Sequence, residues 1–186
     1  SLKYMCESCA GLLGGQYAAL EGLFIRVYPW SALSRRDRLD LTEALSLVIS
    51  RTSSWTDTEF LEALDRILQL IWQGGPGCLE DYAVVLECIM LPELPRTPLI
   101  FAQVFQPSFA RLGEAFVLFT PSNGQVVEEE FCEAWLRVLQ AVLNNGTPGA
   151  VGDFVNGSLI FWLQEQIGRF RNLSLAKQAA LFNLFS

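Results

Sequence analysis

The sequence predicts an all-α fold, an α-solenoid of antiparallel helix pairs with about nine helices, and three observations lead there. Apolar residues recur at steps of three and four along nearly the whole chain. The two-residue alternation of a half-buried strand is missing. Clusters of Gly and Pro interrupt the pattern at short intervals, so neighbouring helices are closely linked and run antiparallel.

The clearest pair spans 98–145. Phe101, Phe105, Phe109, Leu112 and Phe116 form one stripe, and Val127, Phe131, Ala134, Trp135, Val138, Val142 and Leu143 the other. Thr120-Pro-Ser-Asn-Gly124 separates them, since this cluster cannot continue a helix. Pro107 removes a backbone donor and is expected to bend the first arm.

In chain order, 2–13 reads as a short helix closed by Gly14-Gly15. Residues 16–28 follow, with Tyr17, Leu20, Phe24 and Val27 inward and Pro29 as the stop. Ser34 caps 35–51, whose stripe is Leu41, Ala44, Leu45 and Val48. Thr56 and Glu59 match a capping box, opening a helix that buries Phe60, Leu61, Leu64, Ile67, Leu68 and Ile71. Gly74–Gly77 ends it. Tyr82, Val85, Leu86 and Ile89 face inward from 78–91, and Thr97-Pro98 reads as N-cap plus first helical residue. After the break at 145–149, Val155, Leu159, Trp162, Leu163, Ile167 and Phe170 mark 150–171, and Ser174 caps a last helix. Helix starts near 2, 35, 78, 124 and 174 form one series, and those near 16, 55, 98 and 150 the other. Their spacing of about 34–50 residues brackets helical-pair repeats. A closed helical bundle is the structural alternative.

Composition narrows the function. The 186 residues are 51% hydrophobic and only 18% charged, which excludes disorder. A net charge of −7 argues against direct nucleic-acid binding and favours basic partners. No membrane span or signal peptide is evident. The chain has no initiator Met and both ends lie in apolar patterns, so it reads as a single helical-repeat segment, 1–186, cut from something longer. Five Cys in an odd, scattered set suggest reduced thiols inside a cell. Cys6 and Cys9 form a lone CxxC. With no second pair and no His, it lacks the four ligands of a zinc site. The sequons at Asn145, Asn156 and Asn172 are then accidental.

Catalysis finds little support: a nucleophile has no His to activate it, Glu62 and Asp65 fall on solvent faces, and the Gly74–Gly77 loop lacks the Lys-Ser/Thr of a phosphate loop. No cofactor or metal is expected. Two charged clusters remain. Glu128, Glu129, Glu130 and Glu133 could clamp a basic segment, or could simply favour the start of a helix against its dipole. Arg35, Arg36 and Arg38 could meet an acidic or phosphorylated partner, or could be a solvated first turn beside Asp37 and Asp40. Trp30, Trp55, Trp135 and Trp162 read as packing residues, with Trp72 the least determined. The Phe-rich helix reads as core, with a binding groove as the alternative.

Four stretches, LKYMCESCAGLL, RRDRLDLTEALSLVISR, TEFLEALDRILQLI and LIFAQVFQPSFARLGEAF, carry a resemblance to the importin-β superfamily of nuclear transport receptors (karyopherins). The nearest branch is the transportin-SR and importin-thirteen-like group. The resemblance implies HEAT repeats, location in cytoplasm and nucleus, and no catalytic site. It implies protein partners: cargo with basic or Arg-Ser-rich segments, the GTPase Ran, and nucleoporins. It also implies that 2–13, 35–51, 78–91, 124–145 and 174–185 are inner helices whose polar faces make contacts. Two other readings stand beside it. One is a HEAT-type scaffold in another intracellular assembly. The other is a compact helical-bundle regulator of the apoptosis type, prompted by FLEALDRILQLI.

Overall fold

The structure, a computed structural model, describes residues 2–29, 32–74, 78–91, 95–119, 129–165 and 175–183. All its regular elements are helical, and no strand occurs among the described residues. The chain divides into two compact units, Ser1–Leu94 and Pro95–Ser186.

The first unit holds α1 (Leu2–Leu13), α2 (Tyr17–Val27), α3 (Arg35–Arg51), α4 (Asp57–Gln73) and α5 (Cys78–Ile89). Two of the expected caps are made. Ser34 Oγ accepts the Asp37 N–H at 3.1 Å. Thr56 and Glu59 form the full capping box: Thr56 Oγ1 accepts the Glu59 N–H at 3.3 Å and Glu59 Oε2 accepts the Thr56 N–H at 2.7 Å. α1 ends at Leu13, where Gly14-Gly15 was expected to close it. A 3₁₀ turn, Gly14–Gln16, then leads into α2 without an intervening loop. Here glycine is a matter of room, because a Cβ on Gly14 would lie 2.6 Å from Cγ2 of Thr52.

α3 packs against both α1 and α5, while α2 meets α3 and α4 meets α3 and α5. Most of the stripe residues read from the sequence form this core, among them Phe24, Val48, Phe60, Leu64, Ile67 and Ile71, whereas Leu20, Val27, Leu41 and Leu61 are only half-buried. α5 goes further than its stripe. Leu79, Asp81–Leu86 and Cys88–Met90 are all buried, leaving only Glu80 and Glu87 partly exposed among its described side chains. Being apolar nearly all round, it can be covered on nearly every side.

In the second unit, α6 (Thr97–Ile100), a π-helical segment (Phe101–Phe105) and α7 (Gln106–Phe119) run on without a break. The cap expected at Thr97 is displaced by one residue. Arg96 is the N-cap without a side-chain hydrogen bond, and Thr97 is itself helical and buried. A π-segment lies just before Pro107, the residue expected to bend this arm. Pro107 has no N–H to offer the preceding turn, and Gln106 donates its own N–H five residues back, to Phe101 O. α8 (Glu129–Asn145) follows, then α9 (Pro148–Phe154), a second π-segment (Val155–Leu159) and α10 (Ile160–Glu165), and finally α11 (Leu175–Asn183). α7 and α11 both pack on α8. The turn 120–124, the cap Ser174, the stripe residues Val127, Ile167 and Phe170, and the sequon Asn172 lie outside the described residues.

An aromatic cluster fills this unit. Phe154 is 3% exposed, and its ring meets Phe105 at 5.1 Å, Phe109 at 4.8 Å and Phe101 at 6.0 Å, each near-perpendicular. Trp162 continues it, 6.1 Å from Phe109 and 4.9 Å from Trp135. The Phe-rich helix is thus core at Phe101 and Phe105, with Phe109 half-buried against Phe105, while the side chain of Phe116 lies outside the described residues. The tryptophans outside it also pack: Trp55 meets Tyr17 edge-on at 4.7 Å and Trp72 meets Tyr82 at 5.0 Å. Trp30 lies outside the described residues.

Candidate interaction surface

The basic cluster at the start of α3 divides. Arg35 forks onto Glu80 of α5, Nε to Oε2 at 2.8 Å and Nη2 to Oε1 at 2.7 Å. Such a bidentate pair is geometrically demanding, although Arg35 itself is half-exposed and the surrounding water screens it. Arg38 turns inward, its Nε 3.1 Å from Asp81 Oδ2 and its Nη2 4.0 Å from Glu80. The Arg38–Asp81 contact is a charge pair lying off the hydrogen-bond line. Arg36 is exposed. Two of the three arginines are therefore engaged by α5, across a helix contact, and Arg36 is the member turned to solvent.

Asp81 is the centre of this arrangement. It is 0% exposed, and Thr42, also buried, donates Oγ1–H to its Oδ1 at 3.1 Å. Burial pushes its carboxyl above the usual carboxylate range, against the opposing pull of Arg38 and of hydrogen bonds from Thr42 and Tyr28. Tyr28 closes α2, so a single carboxylate draws together three elements. Sequence reading did not single out Asp81 or Glu80. A signal for Asp81 exists: it precedes Val85 by four residues and Cys88 by seven, which places it on the buried stripe.

A second polar group joins α2 to α4. Arg66 Nε donates to Glu21 Oε1 at 2.7 Å, and Tyr17 OH donates to the same oxygen at 3.0 Å. Burial first, then Glu21, pushes the Tyr17 phenol well above its usual value, so it stays a donor at any physiological pH.

Of the acidic cluster, Glu129 and Glu130 open α8 and Glu133 is exposed one turn on. Glu128 lies outside the described residues, as do the side chains of Glu129 and Glu130. Cys6 is buried, which raises its thiol pKa, and Cys9 is half-buried. Among the described residues no group of three or more His, Cys, Asp or Glu is placed to hold a metal ion. No described helix is long and apolar enough to cross a membrane.

Large apolar side chains also reach solvent. On α1, Tyr4 is 69% and Leu12 84% exposed, with Met5 beside them, and on α2 Leu23 and Ile25 are exposed. In the second unit Phe161 is 62% exposed. Among the described residues, the exposed large apolar side chains of α1 and α2 and the solvent-facing Arg36 are the groups left available for contact.

No family model, no curated protein and no solved structure matches the chain.

Proposed function

We propose that the chain is a macromolecule-binding, helical-repeat segment of a nuclear transport receptor. In this proposal it works in cytoplasm and nucleus, grips cargo with basic or Arg-Ser-rich segments and the GTPase Ran, meets nucleoporins, and has no catalytic activity. One observation carries the reading. Helices of one alternate series touch one another: α3 meets α1 and α5, and α11 meets α8. This is the series that the spacing of helix starts marks out, and it is the packing expected when helix pairs stack in a row and bury their apolar sides on the next pair. The net charge of −7 supports basic cargo. On this reading the contact surface excludes most of α5, whose polar side chains are engaged by α3, and draws on Arg36, the acids at the start of α8 and the exposed side chains of α1.

A HEAT-type scaffold in another assembly shares the same packing and differs only in partner. The compact apoptosis-type regulator draws instead on the near-complete burial of α5. A pull-down with Ran loaded with GTP, run beside Ran loaded with GDP, separates the first reading from the others. Retention of the GTP form alone supports the receptor, and retention of neither withdraws it.

A further inference from the structure

The contact between α3 and α5 poses a packing problem. α5 buries apolar side chains nearly all the way round, and the second half of α3, Ala44–Ile49, is buried throughout. Apolar contact is non-directional, and cores built on it alone lose uniqueness before they lose stability. Two such helices can slide or roll past one another with little change in buried area.

The polar residues at this contact are arranged as a ladder. Arg35, Arg38 and Thr42 lie at spacings of three and four along one side of α3 and meet the consecutive Glu80 and Asp81 of α5. A slide of one helical turn, about 5.4 Å, would in one direction put Thr42 in place of Arg38 and leave the Asp81 carboxylate without a cation in a dry interior, and in the other put Arg35 in place of Arg38 and strip Glu80 of its fork. We propose that Arg38 and Asp81 are positioning residues that key the register of α3 on α5, selecting one packing among near-equivalent ones rather than adding to stability. Thr42 and the Arg35–Glu80 fork complete the key, at its buried and its exposed end.

The test uses the full chain and the variant Arg38→Met/Asp81→Leu, which replaces the charges with apolar side chains of similar size. Its Tm is expected to equal or exceed the parent's, while amide resonances of α3 and α5 double or broaden and their hydrogen exchange quickens. One sharp set of resonances would overturn the proposal, whatever the Tm. A lowered Tm with a single set would assign the pair to stability instead. Should the double variant not fold, Asp81→Asn decides, because it keeps the shape and the acceptor for Thr42. Multiple α3 and α5 resonances in D81N support the key, and an unaltered single set overturns it.

Discussion

A Cβ on Gly113 would lie 2.8 Å from Nε1 of Trp162, so α7 and α10 approach one another through a position that only glycine leaves open. Trp162 cannot easily retreat, because its ring rests on Trp135 at 4.9 Å. Gly113→Ala gains about 1 kcal/mol of helix propensity but overpacks a filled site at a cost of about 1–3 kcal/mol. The net expectation is a loss of about 1 kcal/mol in chemical denaturation. Gly22→Ala is the control: it sits on α2 with nothing within 4 Å of the added carbon, and should gain about 0.5–1 kcal/mol.

Phe154 holds the aromatic cluster together, touching three Phe rings from a fully packed position. Phe154→Ala should cost about 3–5 kcal/mol, since the rings around the vacancy belong to helices that cannot all move in. Equilibrium unfolding followed by tryptophan fluorescence measures this. A loss below about 1 kcal/mol would mean that the cluster repacks freely.

Thr56 supplies half of the capping box of α4, and Thr56→Ala should cost about 1 kcal/mol. The effect has a pH signature. Bonds from the Thr56 backbone N–H and hydroxyl hold the Glu59 carboxyl below its usual pKa. Its stabilising contribution is therefore present above the ordinary carboxylate pKa and lost as pH falls through the lowered one. The variant should lose less, relative to the parent, in acid than at neutral pH.

Asp81 runs the other way. Its folded-state pKa is raised by burial, with Arg38, Tyr28, Thr42, Glu80 and, through Glu80, Arg35 around it. The native state therefore holds that proton more tightly than the unfolded chain does. The contribution is full below the ordinary carboxylate pKa and is lost as pH rises through the raised one. Asparagine does not titrate, so Tm of Asp81→Asn relative to the parent should rise as pH is taken from mildly acidic to neutral. A constant difference across that window would contradict the assignment.

The helices were largely legible because each is written locally. Tyr82, Val85, Leu86 and Ile89 announce the buried side of α5, and Ser34 and Thr56 announce the starts of α3 and α4, through residues within a few positions of one another. Thr97 misled by one position because the Pro that follows it fits a cap as well as a first turn. The first π-segment was marked in the sequence only by Pro107, and the second, Val155–Leu159, by no residue that was singled out. The polar key was not legible. Thr42 and Asp81 are 39 residues apart, and nothing near Arg38 in the chain says that its partner lies on α5 rather than at Asp37 or Asp40.

The claim on which the functional account rests is that this acidic helical chain grips basic protein segments. Fluorescence anisotropy of a labelled Arg-Ser-rich peptide, titrated with the full chain at two ionic strengths, tests it most directly. The account predicts saturable binding that weakens as salt rises. It further predicts an affinity loss of about tenfold, or ~1.4 kcal/mol, when Glu128, Glu129, Glu130 and Glu133 are all changed to Gln. No saturable binding at the lower salt would contradict it.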